Sequence, residues 1–210
     1  MKPSLNQIDL YFITDRKLTK KTIIDDVRAA IKAGVKVIQY RDKEAATKVM
    51  FEEAKKIKKE CDNSNVLFLI NDRIDICLAV NADGVHLGYE DIPYRAARRL
   101  LPNKIIGLTV HNLQEAIEAE RLGADYIGIS PIFETKTKLD AGPAAGLELI
   151  KQVKEKIKIP FVAIGGINQE TLDNVLKAGA KSVAIISALI TKNNVEEEAK
   201  RLIERIRRGV

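Results

Sequence analysis

The chain has 210 residues, 46% hydrophobic and 30% charged, with 35 Lys+Arg against 29 Asp+Glu, two His, two Cys and no Trp. That balance supports a sizeable core under a charged surface and excludes a disordered, collagen-like or coiled-coil chain. Cys61 and Cys77 are too few for a disulfide scaffold, and neither a signal-type leader nor an apolar stretch of about 20 residues is present, so a soluble, cytoplasmic protein is expected.

Short β-rich runs recur from end to end. They are LYFIT (10–14), KVIQY (36–40), VLFLI (66–70), GVHL (84–87), IIGLTV (105–110), DYIGIS (125–130), IPFVAIG (159–165) and SVAII (182–186). Several are continuously apolar, as parallel strands covered on both faces are. Between them, apolar residues recur at helical spacing: Ile23, Val27, Ala30 and Ile31; then Val49, Ala54 and Ile57; then Ala116, Ala119 and Leu122. Leu147, Ile150, Val153 and Ile157 follow, and last Leu172, Val175 and Leu176. The order is βα repeated eight times. An internal echo supports it: IKAGVKVI (31–38), RLGADYIG (121–128) and LKAGAKSV (176–183) each place a glycine between helix and strand, and VNADGVHL (80–87) is a looser copy. No Pro/Gly/Ser-rich linker interrupts the pattern. The expectation is a (β/α)8 TIM barrel, one domain over residues 1–210. A doubly wound sheet is disfavoured, because ITDRKL follows the first strand where a glycine-rich phosphate loop would stand.

A barrel of this kind carries its site at the C-terminal ends of its strands. Polar residues collect there: Asp15 and Arg16; Gln39, Arg41 and Lys43; Asn71, Asp72 and Arg73; His86 and Asp91; Thr109 and His111; Ser130; Gly165 and Gly166; Ser187. Gln39, Arg41 and Lys43 alternate, so an extended chain aims them the same way, and Arg with Lys suits phosphate oxygens. The same residues could instead form surface ion pairs with Asp42 and Glu44. Asp72 and Asp91 follow neighbouring strands and form a carboxylate pair suited to Mg²⁺. Alternatively, Asp72 caps the helix that follows it and Asp91 serves a turn before Pro93. In ETKTKLDAGP (134–143), Thr135, Thr137 and Lys138 read as an anion-closing loop or as ordinary exposed loop. Gly166 in AIGGI permits close approach to a phosphate, and Ser187 is placed to cap a short helix beside it. Two anion sites on one barrel mouth point to two phosphorylated substrates. His86 reads as a hydrogen-bonded core residue, His111 as a cap or pocket wall, and Tyr11 and Tyr89 as pocket lining or packing.

The surplus of six positive charges lies partly in EEAKKIKKE (52–60) and KQVKEKIKIP (151–160), where acids are interleaved at helical spacing and no aromatic is present. Solvated helix faces explain those lysines, leaving no case for nucleic acid or membrane.

Together ITD (13–15), QYRDK (39–43), ND (71–72), ADGVHLGYED (82–91), GLTVH (107–111), TKTK (135–138), AIGGI (163–167) and IISA (185–188) resemble the thiamine-phosphate synthase family over essentially the whole chain. The resemblance implies a (β/α)8 barrel that joins 4-amino-2-methyl-5-pyrimidinylmethyl diphosphate to hydroxyethylthiazole phosphate with Mg²⁺, releasing diphosphate. It implies that Gln39, Tyr40, Arg41, Asp42, Lys43 and Asn71 hold the pyrimidine diphosphate. Asp72 and Asp91 would ligate Mg²⁺, and Thr109, where the family commonly has serine, would keep a hydroxyl near the pyrimidine. Lys138 would contact the diphosphate, with Arg41 and Lys43 sharing the catalytic role. Thr135, Lys136, Thr137, Gly166, Ile186 and Ser187 would hold the thiazole phosphate. Two positions depart from the family: Tyr89 stands where glutamine is frequent, and Glu134 where proline or a small residue is. IFET (132–135) also resembles the related thiazole tautomerase, but Pro131 occupies the place of that relative's loop histidine and cannot exchange protons. A non-catalytic phosphate-ligand barrel is the third alternative; the paired aspartates argue against it.

Overall fold

A computed structural model describes residues 2–135, 137 and 142–209. Eight parallel strands close into a barrel in sequence order, β1 pairing with β8. They are β1 (Leu10–Ile13), β2 (Val37–Tyr40), β3 (Leu67–Asn71), β4 (Gly84–Leu87), β5 (Ile105–Val110), β6 (Tyr126–Ile129), β7 (Phe161–Ile164) and β8 (Val183–Ile185). Around them run α1 (Ile23–Ala33), α2 (Thr47–Asn63), α3 (Ile74–Ala79), α4 (Tyr94–Leu100), α5 (Leu113–Leu122) and α6 (Gly146–Lys156). The ring is completed by α7 (Leu172–Ala178), the short α8 (Ser187–Ile190) and α9 (Val195–Arg208). Each of the eight expected runs holds a strand.

The period-two alternation of side chains sorts every strand into two cores. Leu10, Phe12, Ile38, Tyr40, Phe68 and Ile70 face outward and pack under the helices. Tyr11, Ile13, Val37, Leu67, Leu69, Tyr126, Val162 and Ala184 face inward and fill the barrel, joined by Ile8 just before β1. The strands read as continuous apolar runs because both of their faces are covered.

Helix endings explain the sequence echo. Gly34, Gly123 and Gly179 end α1, α5 and α7 with φ of 97°, 89° and 110°, a left-handed conformation that only glycine adopts without penalty. In the looser copy Asn81 takes the left-handed conformation, at φ 52°, and the glycine of that copy lies inside β4. One helix stripe is displaced by a position: Val49 is exposed, while its neighbour Met50 enters the core with Ala54 and Ile57. Helix α9 places Glu196, Glu197 and Glu198 in its first turn and Arg205, Arg207 and Arg208 in its last, matching its macrodipole. Among the described residues, no helix is long and apolar enough to cross a membrane.

Candidate active site

The carboxyl ends of the strands surround a cavity of about 640 Å³. On the β2–β4 side it is lined by Gln39, Arg41, Lys43, Asn71, Asp72 and Asp91. Alternation brings Gln39, Arg41 and Lys43 inward together and turns the intervening residues away. Tyr40, expected at the substrate, lies in the outer core and donates its hydroxyl hydrogen to Glu53 at 2.9 Å. Asp42, also expected there, accepts from the backbone N–H groups of Glu44 and Ala45 and pairs with Arg16 at 2.5 Å. Neither lines the cavity, so the structure corrects both assignments: a run of five residues leaving a strand cannot aim all five the same way. Glu44 pairs with Lys17 and Asp42 with Arg16, so among the described residues these two carboxylates are held by cations other than Arg41 and Lys43.

Arg41 is held from below. Its Nη1 lies 2.9 Å from Asp15, with side chains only 12% and 11% exposed. Thr14 ties the two strand ends together: its N–H donates to the Gln39 carbonyl, and its hydroxyl oxygen accepts from the Arg41 N–H at 3.0 Å.

Asp72 occupies an unusual backbone position. Its φ is 61°, and its N–H donates to the His86 carbonyl at 2.9 Å, continuing the β3–β4 ladder past Asn71. It does not cap α3; Arg73 holds the cap position, without a side-chain cap bond. The Asp72 carboxylate stands 3.7 Å from the Lys43 ammonium. Asp91 accepts the Gly88 N–H at 2.6 Å and so closes the loop after β4 while still lining the cavity. As donors the two carboxylates are hard oxygen ligands suited to Mg²⁺, which normally completes its octahedron with water and phosphate oxygens. Among the described residues, no cluster of three or more His, Cys, Asp or Glu is placed to hold a metal.

Across the mouth, Thr135, Thr137, Gly165 and Ile186 line the cavity. The Thr137 N–H donates to the Thr135 hydroxyl at 3.2 Å. Gly166 lies just outside the lining and packs against the β6 loop: a Cβ there would sit 2.7 Å from both the Glu134 carbonyl oxygen and the Phe133 Cβ. Ser187 is not the cap of α8, as the sequence suggested. Ile186 holds that position and Ser187 begins the helix, so its N–H belongs to the group that a helix start leaves without intrahelical partners. Lys136 and Lys138 lie outside the described residues.

The cavity floor is polar. Gln39 donates to the Tyr11 hydroxyl at 2.7 Å, which lies 2.9 Å from the Tyr126 hydroxyl. The Tyr126 hydroxyl is 2.9 Å from His86 Nδ1, and His86 Nε2 is 2.9 Å from the Thr109 hydroxyl. Burial pushes both phenols well above their ordinary pKa, so each stays protonated. His86 is hydrogen-bonded as expected, but it lines the cavity rather than sitting in the core. Tyr126 had not been singled out in the sequence. The available signal was its inward register: Gly107 faces it from β5, and a Cβ on Gly107 would fall 2.1 Å from the Tyr126 ring. Glu115 was missed too; from the first turn of α5 it accepts from the His111 N–H and lies 3.0 Å from His111 Nδ1. Tyr89 is 86% exposed at the mouth.

The family model described as thiamine monophosphate synthase matches residues 10–189. A thiamine-phosphate synthase of Methanosarcina barkeri is 51% identical over 205 residues, covering 97% of this chain and 93% of the relative. One from Methanosarcina mazei is 50% identical over 204 residues, covering 97% and 85%. Among solved structures, thiamine phosphate pyrophosphorylase from Pyrococcus furiosus superposes with a TM-score of 0.88 at 40% identity, over 96% of this chain and 98% of that one. The family match runs from the first residue of β1 into α8, and it therefore takes in every strand end that builds the cavity. With half its residues shared across nearly complete lengths, the chain belongs to the thiamine monophosphate synthase family.

Proposed function

We propose that this chain is a thiamine-phosphate synthase, an alkyl-group transferase. It joins 4-amino-2-methyl-5-pyrimidinylmethyl diphosphate to 4-methyl-5-(2-hydroxyethyl)thiazole phosphate, giving thiamine phosphate and diphosphate. One observation carries this reading beyond family membership: the cavity has cations and carboxylates at β2–β4 and a hydroxyl-and-glycine wall at β6–β8, opposite one another. Such a mouth accommodates a diphosphate and a monophosphate at once.

The proposed chemistry is dissociative. The bond between the pyrimidinylmethyl carbon and the diphosphate oxygen breaks first, and its electron pair leaves with the diphosphate. The lone pair of the thiazole nitrogen then captures the resulting carbocation. No side chain needs to act as a nucleophile on this route, and catalysis consists of stabilising leaving-group charge and aligning the acceptor. Arg41, pre-set by Asp15, and Lys43 supply fixed and mobile positive charge to the diphosphate. Lys138 is assigned the same role from its place in the sequence. Asp72 and Asp91 would hold Mg²⁺, which when bound supplies charge neutralisation to the departing oxygens. Gln39, Asn71 and Thr109 would orient the pyrimidine, while Thr135, Lys136, Thr137, Gly166, Ile186 and Ser187 would hold the thiazole phosphate. On this reading the partners are small phosphorylated molecules rather than nucleic acid or a membrane, and the protein works in the cytoplasm.

The test mixes the purified protein with both substrates, with and without Mg²⁺, and follows thiamine phosphate and diphosphate. Formation of both products only when both substrates and the metal are present is expected. No coupling over a range of temperature and pH overturns the reading.

A further inference from the structure

The hydrogen-bonded row on the cavity floor has a direction, and that direction follows from donor arithmetic. Tyr11 is buried, and its hydroxyl has two partners among the described residues, Gln39 and Tyr126. The Gln39 amide nitrogen can only donate, so the Tyr11 oxygen accepts from it. The Tyr11 hydrogen then goes to Tyr126, whose own hydrogen goes to His86 Nδ1. A ring nitrogen that accepts carries no hydrogen, so the imidazole hydrogen sits on Nε2 and is donated to Thr109. In the opposite sense, Tyr11 would receive two hydrogens and its own would point at no acceptor in a buried site. Buried polar groups are ordinarily satisfied, and no buried side-chain nitrogen or oxygen among the described residues lacks a partner.

Among the described residues, Thr109 ends the row. Its oxygen has used one lone pair on His86, leaving one hydrogen and one lone pair for the cavity. That pair is complementary to a ring nitrogen with an amino group on the adjacent carbon, which is the edge an aminopyrimidine offers. Gly107 is the space that permits the row, since any side chain there would collide with the Tyr126 ring.

We propose that Tyr126 is a positioning residue: acting through His86, it fixes the hydrogen on Nε2 and so orients the Thr109 hydroxyl toward the aminopyrimidine edge. This assignment of substrate rests on the synthase reading above, whereas the direction of the row does not.

Two measurements test it. The first is ¹⁵N NMR of the substrate-free protein, whose two histidines are told apart with His111→Gln. A pyridine-type Nδ1 and a pyrrole-type Nε2 on His86 are expected, with the Nε2–H share falling in Tyr126→Phe. A hydrogen on Nδ1 in the unsubstituted protein overturns the proposal, whatever the catalytic activity. The second is a kinetic double-mutant cycle on thiamine phosphate formation. Tyr126→Phe should lower kcat about tenfold, the scale of one lost hydrogen bond, with both KM values within about twofold. In a Thr109→Val background, adding Tyr126→Phe should cost nothing more. Effects that multiply would mean that Tyr126 does not act through Thr109, and the proposal falls while the synthase reading stands. Should the protein form no thiamine phosphate, the synthase reading falls and the NMR result still judges the row.

Discussion

Arg41 and Asp15 form an ion pair at 2.9 Å with both side chains close to fully buried, at the point where β1 and β2 leave the barrel. A guanidinium tethered in this way reaches the cavity already oriented, and little side-chain entropy remains to be lost when an anion arrives. Asp15→Asn keeps the shape and removes the charge. It is expected to lower kcat/KM for the pyrimidine diphosphate about tenfold and to cost about 2 kcal/mol of stability through an uncompensated buried charge. Steady-state kinetics and urea unfolding read the two effects. Wild-type kcat/KM in Asp15→Asn would remove the pre-orientation argument.

Asp72 combines a proposed metal ligand with a left-handed backbone, so its substitutions separate function from strain. Asn tolerates this conformation, Gly is indifferent to it and Ala is penalised. All three should lose about 100-fold in activity and their response to Mg²⁺. Only Asp72→Ala should also unfold about 1 kcal/mol more easily than Asp72→Gly. Equal unfolding midpoints would contradict the strain argument, and an undiminished Mg²⁺ response would contradict the ligand assignment.

At Gly166, a φ of 66° and the closeness of Phe133 and Glu134 leave no room for a methyl group. Gly166→Ala should push the β6 and β7 loops apart. KM for the thiazole phosphate is expected to rise about tenfold, with the pyrimidine KM within about twofold, because only the β6–β8 side of the mouth is disturbed. A rise in both KM values alike would place Gly166 outside a dedicated monophosphate site.

Cys61 and Cys77 are fully buried free thiols. Burial raises them from an ordinary value of 9.0 to about 12 and about 11. The folded chain therefore keeps both protons in a range where the unfolded chain has lost them. Their contribution to stability is full below pH 9.0 and declines as pH rises toward those folded values. Each thiol costs about 1.4 kcal/mol per pH unit in that interval, and the buried Tyr11 and Tyr126 add loss in the same direction at higher pH. Urea midpoints should therefore fall steeply from about pH 9 upward, and thiol reagents at about pH 8 should react only as the protein unfolds. Rapid labelling of the folded chain at that pH would show that the thiols are reachable.

Much of the cavity was legible because alternation and strand order are local properties. Gln39, Arg41 and Lys43 share a face by counting, and Asn71, Asp72 and Asp91 follow the strands they were expected to follow. Tyr40 and Asp42 belong to the same motif but point away from the cavity, because the pleat of the strand alternates through it. Ser187 was misread as a cap because its residue type favours that position, yet the helix begins at Ser187 itself, with Ile186 at the cap. His86 was drawn into the core because its partners, Tyr126 on β6 and Thr109 on β5, stand 40 and 23 positions away.

The sequence by itself determined the eightfold βα order, the two faces of each strand and the side of the barrel on which polar chemistry gathers. These follow from the periods of strand and helix and from glycines at helix ends, all carried by residues a few positions apart. Tertiary structure alone decided which carboxylate holds Arg41, which conformation Asp72 adopts, and that Tyr11, Tyr126, His86 and Thr109 form one directed row. Those relationships depend on barrel closure, which brings inward residues of distant strands within hydrogen-bond distance, and no local pattern encodes which of them will meet.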